Sequence, residues 1–339
     1  MRSLYRSFIS LLLLSCLLVS SLAHSEEVNV YSYRQPFLVQ PLFDTFTEAT
    51  GIKVNVVFAK KGLSERLERE GRNSPADLVF TTDIGRLFEV ADKNLTQPVS
   101  IDELTQNIPA QYRHPDGLWF GLTTRTRSIF ASKERVDLST IKNYEDMSKP
   151  EWKGRICSRS GKHPYNLALI ASLIAHNGVE DTKTWLEGVK ANLAQKPQGN
   201  DRAQVKAIKE GVCDISLGNN YYFGNMLMDA EQKTWADAVH ITFPNQDNRG
   251  THVNISGMAL TKHAPNEENA KKLMVFLSQE KAQSMYSEQN FEYPVNPSVE
   301  ASELVQSWGD FKSDTLALNK VAQLRKQAAQ LVDQVGFDD

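Results

Sequence analysis

Residues 27–58 read EVNVYSYRQPFLVQPLFDTFTEATGIKVNVVF, and this stretch decides the architecture. Glu27 to Tyr33 reads as a buried strand. Leu38 to Ala49 carries Leu42, Phe43 and Phe46 at helical spacing, and Gly51 ends that helix before a second strand, Ile52 to Phe58. A polar helix then leads to a third strand, Asp77-Leu78-Val79-Phe80-Thr81. Strands alternating with helices every few dozen residues make parallel β-α-β units, whose ligand sites lie at the carboxyl ends of the strands. Tyr33 and Arg34 stand at one such end.

Outward from there the pattern changes. Tyr165 to His176, Thr182 to Ala194 and Asp201 to Glu210 read as consecutive helices, with strands at Gly154 to Ser158 and Cys213 to Leu217, which makes a second α/β lobe. Further strands at His240 to Phe243 and Ile255 to Thr261, and helices at Asn266 to Phe276 and Lys281 to Ser287, return the chain to the first lobe. A last amphipathic helix carries Leu316, Val321, Leu324, Leu331 and Val332, with a start expected at Ser313-Asp314. The expected division is 26–125 with 250–300 for the N-terminal lobe, and 126–249 with 301–339 for the C-terminal lobe. A chain of 339 residues with 41% hydrophobic content is long enough for both cores.

Residues 1–25 read as an export signal: Arg2 and Arg6 precede an apolar run from Phe8 to Leu22, and small residues at Ala23 or Ser25 offer the cleavage point. At about 15 residues this run is shorter than the ~20 a spanning helix needs. The expectation is a periplasmic protein that does not itself span the membrane. The formal charge is -3, and loss of the two arginines with the leader leaves -5, so no basic footprint for nucleic acid exists. Of three cysteines, Cys16 leaves with the leader. Cys157 and Cys213 remain in an oxidising compartment and are expected to pair, closing a 56-residue loop. On the loop-entropy model that bridge stabilises by at most about 4 kcal/mol.

The chemistry-bearing residues are phenols. Tyr221 and Tyr222 follow the strand-like Cys213 to Leu217, within Asn219-Asn220-Tyr221-Tyr222-Phe223-Gly224. Neighbours on a strand face opposite ways, so the two can serve one centre only if the chain leaves the strand there; Asn219, Asn220 and Gly224 are residue types that let it turn. Phenolate is a hard anionic donor suited to a hard cation. Read alone, such a pair is more often half-buried packing. Tyr165, at the entry to a helix after Ser158-Arg159-Ser160-Gly161-Lys162-His163-Pro164, reads the same way in isolation. Arg125 and Arg127 lie two apart, hence on one strand face, and one of them can be a simple ion-pair residue. Enzyme signatures are missing: there is no G-x-S-x-G, no H-E-x-x-H and no complete phosphate loop, and the seven histidines stand at no metal-site spacing.

Taken together and in order, Val28 to Phe37, Phe58-Ala59-Lys60-Lys61-Gly62-Leu63, Ser74-Pro75-Ala76-Asp77, Trp119 to Arg125 and Asn220-Tyr221-Tyr222, with the two cysteines, resemble the periplasmic ferric-ion-binding proteins over essentially the whole mature chain. The resemblance implies a type II periplasmic binding protein fold, an α/β protein of two lobes like a transferrin lobe, monomeric and without catalysis. It implies an interlobe cleft that closes about a hinge on Fe(III), and delivery to an inner-membrane ABC permease with a cytoplasmic ATPase. It places iron ligands at Tyr165, Tyr221 and Tyr222, and a synergistic carbonate or bicarbonate at Arg34, Gln35 and Arg125. Another branch of the family uses a histidine at the end of the first strand, where this chain has Arg34-Gln35-Pro36. Strand alternation puts Tyr33 and Arg34 on opposite faces. On this reading three phenolates balance Fe(III) and two guanidiniums balance a carbonate. The rivals are a binder of an organic ligand or oxyanion on the same fold, and a secreted hydrolase.

Overall fold

The computed structural model describes residues 26–339, so the leader lies outside the described residues. The opening stretch forms β1 (Glu27–Ser32), a helix over Pro36–Thr50 and β2 (Lys53–Phe58). Pro36 occupies the first turn of that helix, where a missing N–H is harmless, and Gly51 ends it at φ +77, a left-handed conformation that only glycine adopts freely. The helix buries Val39, Leu42, Phe43 and Phe46, and Phe43 meets Phe80 edge-on at 5.5 Å between ring centroids. Each such side chain contributes roughly 1.5–3 kcal/mol on burial. Then come β3 (Leu78–Thr81), β4 (Phe120–Ser132), β5 (Ile156–Cys157), β6 (Ile215–Asn219), β7 (Val239–Thr242), β8 (Val253–Leu260) and β9 (Tyr293–Pro294). Among the described residues the sheet runs β2-β1-β3-β8-β4-β6-β5, with β7 and β9 also paired to β4.

β1 pairs in parallel with β2 and β3, as the β-α-β reading requires, and β8 joins β3 antiparallel. All thirteen residues of β4 are buried, because it serves two sheets in succession. Phe120 to Thr126 pairs with β8, while Arg127 to Ala131 pairs with β6 and Ile129 to Ser132 with β7. The changeover falls between Thr126 and Arg127. Tyr144 clamps that point: its hydroxyl donates to the Arg127 carbonyl at 2.5 Å and accepts from the His252 N–H at 3.2 Å.

Cys157 and Cys213 are joined by a disulfide with Cα atoms 5.7 Å apart. It ties the end of β5 to the approach of β6, two strands that pair in parallel. The last helix begins at Leu318, later than its sequence signal suggests. Ser313 is spent instead on a parallel bridge to Thr251, and Asp314 pairs with His176 at 2.8 Å while accepting from the Leu316 N–H, so this segment is extended. The helix Leu318–Val335 packs on the Pro164–Asn177 and Ile84–Asp92 helices, and Arg325 reaches Asp83 at 3.0 Å. No helix among the described residues is long and apolar enough to cross a membrane.

Candidate metal and anion site

The chain leaves the strand where the tyrosines need it to. β6 ends at Asn219, and Tyr221 and Tyr222 lie in the first turn of the Asn220–Met228 helix, with ring centroids 4.3 Å apart. Asn220 fixes the turn by its side chain, accepting from the Thr126 N–H at 2.9 Å and donating to the Phe291 carbonyl at 2.9 Å. Gly224 has a different use from turning: a Cβ there would come within 2.4 Å of the Phe291 ring, so glycine permits a close approach. Tyr165 enters from the Pro164–Asn177 helix, whose N-cap is His163, with Nδ1 accepting from the Tyr165 N–H at 3.3 Å. The Tyr221 hydroxyl donates to the Tyr165 hydroxyl at 3.2 Å.

These phenols open on a cleft of about 610 Å³, which Arg34, Gln35 and Arg125 also line. Gln35 is the exposed N-cap of the Pro36–Thr50 helix and its side chain makes no cap hydrogen bond. Arg34 and Arg125 are buried and share a partner the sequence did not reveal, Glu292. Arg34 donates through Nη2 to Oε2 at 2.8 Å and through Nη1 to Oε1 at 3.3 Å, and Arg125 Nη1 donates to Oε1 at 3.0 Å. Thr123 Oγ1 adds a bond to Oε2 at 2.9 Å. Burial alone would raise the Glu292 carboxyl, but the two guanidiniums outweigh it and hold the group below the usual carboxylate range. The cradle therefore carries a net +1, where the two arginines alone would carry +2.

A second buried cluster lies on the tyrosine side. Asp201 receives Arg127 Nη1 at 2.6 Å, Arg159 Nη1 at 2.9 Å and the Asn219 N–H at 3.0 Å. Arg127 is further held by Asn166 and Asn219, which makes it the structural member of the Arg125/Arg127 pair. The Arg159 guanidinium stands 5.6 Å from the centre of the Tyr165 ring. Tyr33 lines the cleft, but its hydroxyl accepts from the Leu63 and Ser64 N–H groups at 3.0 and 3.1 Å and Arg86 covers its ring.

Burial pushes the Tyr222 phenol up to about 12 and, with Tyr165 and Tyr222 beside it, raises Tyr221 well above the ordinary 10. Both are protonated at neutral pH until a cation displaces the protons. His163 is neutral there, driven down to about 3 by burial and then by Arg159. Among the described residues no three His, Cys, Asp or Glu side chains could jointly hold a metal. Hard donors in this cleft are thus the phenols, with the buried guanidiniums of Arg34 and Arg125 lining the same space.

Fold and cleft define a two-lobed α/β periplasmic binding protein, and the chain belongs to the bacterial extracellular solute-binding protein family, whose model matches residues 73–310. These are transport proteins, not enzymes. It is 42% identical to iron uptake protein A1 of Synechocystis over 315 residues, 92% of this chain and 88% of that one. The apo ferric ion-binding protein A of Pasteurella haemolytica superposes with TM-score 0.89 at 54% identity, covering 93% of this chain and 99% of that one. FutA of Trichodesmium, solved with iron and citrate, gives TM-score 0.88 at 42% identity over 92% of this chain and 99% of that one.

Proposed function

We propose that this chain is a periplasmic Fe(III)-binding protein that captures ferric iron in the cleft and delivers it to an inner-membrane ABC permease. Tyr165, Tyr221 and Tyr222 supply three phenolates, and Arg34, Gln35 and Arg125 hold a carbonate or bicarbonate beside the metal. The observation that carries this reading is the convergence of three phenols, two in hydroxyl contact at 3.2 Å, on a cleft walled by buried arginines. The ferric-binding proteins to which the chain is similar support it. In this assignment residues 26–125 and 250–300 form one lobe and 126–249 and 301–339 the other, the β4 changeover lying at the join. The protein acts as a monomer.

Iron loading has a defined proton balance. Each phenol must lose its proton to ligate, and the free groups hold theirs up to pH ~10, so the metal itself drives the deprotonation. Protons compete for the same oxygens as pH falls, so acid releases iron. The deciding measurement is the visible phenolate-to-iron charge-transfer band after mixing with a ferric salt. A band that weakens or shifts in Tyr165→Phe, Tyr221→Phe and Tyr222→Phe supports the three ligands; no band in the unaltered protein overturns the iron reading and leaves an organic ligand or an oxyanion as the cargo.

A further inference from the structure

The Arg34–Glu292–Arg125 cluster holds more information than the anion assignment uses. Glu292 is 2% exposed, and each of its oxygens already accepts two hydrogen bonds. A carboxylate has about four lone-pair sites in all, so Glu292 has none left for a metal. It is a counter-ion and a brace. Each guanidinium gives Glu292 one edge or one nitrogen, and Arg125 spends Nη2 on the Ile255 carbonyl at 2.9 Å. Among the described residues, Arg34 Nε and Arg125 Nε are buried without a protein acceptor. Donors are therefore plentiful in this cradle, while its charge is halved.

We propose that Glu292 sets the anion selectivity of the cradle, tuning it to a singly charged planar oxyanion, hydrogencarbonate at neutral pH, against dianions. The idea rests on the anion subsite proposed above. The arithmetic is local: Arg34 and Arg125 bring +2, Glu292 brings -1, and a monoanion neutralises what remains. The separate surplus of one charge at Arg127, Asp201 and Arg159 sits on the tyrosine side of the cleft. A dianion in the cradle would bring its second charge close to the buried Glu292 carboxylate, in a medium where like charges a few ångströms apart repel strongly. Glu292 also locks the Arg34 guanidinium through two parallel bonds and holds Arg125 through one.

The test reads the cradle without iron, so it stands apart from the phenolate band. Iron-free protein in carbonate-free buffer is titrated with bicarbonate, sulfate and oxalate, and the thermal upshift gives a midpoint concentration for each. The unaltered protein is expected to favour bicarbonate over either dianion by about tenfold or more. Glu292→Gln restores the full +2 and should shift that ratio about tenfold or more towards the dianions. Glu292→Asp, which keeps the charge and shortens the brace, should weaken all three anions and leave the ratio alone. An unchanged ratio in Glu292→Gln overturns the proposal. So does an unaltered protein that prefers sulfate or oxalate, or that responds to none of the three, and these two outcomes need no variant to fold. In each case the charge-transfer band of the iron-loaded protein reports separately whether the iron reading stands.

Discussion

Two arginine–carboxylate–arginine clusters flank the tyrosines, and their likeness is misleading. Asp201 binds Arg127 and Arg159; Glu292 binds Arg34 and Arg125. β4 contributes one arginine to each, two residues apart, because Arg125 lies in the half that pairs with β8 and Arg127 in the half that pairs with β6. The Asp201 cluster is closed by Asn166, Asn219 and a backbone N–H. The Glu292 cluster takes two of its three charged and hydroxyl partners, Thr123 and Arg125, from the half of β4 that pairs with β8. The two differ in their exposure to the cleft: both arginines of the Glu292 cluster line it, whereas of the Asp201 pair Arg159 lines it and Arg127 does not.

Three experiments break or sharpen that contrast. The largest effect is expected from Asp201→Asn, which leaves two buried guanidiniums with no counter-charge; breaking such a cluster costs about 3–5 kcal/mol, read from urea unfolding. If the cluster is scaffold, the iron-loaded variant keeps the wild-type band position, and a displaced band would show Asp201 to act on the phenols directly. Next comes the pair Arg125→Leu and Arg127→Leu. Each removes hydrogen bonds to a buried carboxylate, and each should lower stability by about 2 kcal/mol or more. Only Arg125→Leu should abolish the dependence of iron retention on bicarbonate, so equal dependence in both variants would dissolve the distinction. The smallest effect is the acid limb. Burial raises both carboxyls but their arginines more than reverse it, so both titrate below their ordinary ranges of about 3.9 and 4.3. Their stabilisation is therefore present above those values and is lost as pH falls through the lower, folded ones. Stability should stay level down to about pH 4 and decline below it, with a shallower decline in Asp201→Asn.

What the sequence made legible was local. Valine and phenylalanine spacing over 27–58 announced the parallel unit, two cysteines in an exported chain announced their bridge, and the Asn-Asn-Tyr-Tyr run announced where the strand stops. Glu292 could not be found that way, since it lies 258 residues from Arg34 and 167 from Arg125 and sits in the short link between the Glu280–Asn290 helix and β9. Asp201 was visible only as an acidic residue opening a helix, which has a sufficient local explanation in the helix dipole. Ser313-Asp314 misled for the complementary reason. Its residues suit a helix cap, but Thr251 and His176 claim them first.

Asn220 gives the site a short chain of positional error. Counted along the backbone, the phenols of Tyr221 and Tyr222 are some seventy residues from Glu292, with Asn220 and Phe291 71 apart. The Asn220 amide collapses that path to Tyr221–Asn220–Phe291–Glu292, and its carbonyl pins the same residue to β4 beside Arg125. Fluctuations in the long intervening segment, however large, are not inherited by the spacing between the phenols and the carboxylate. The two halves of the site are in effect mounted on one bracket, so they are expected to drift together, and the geometry offered to a cargo to depend little on how far the cleft happens to be open.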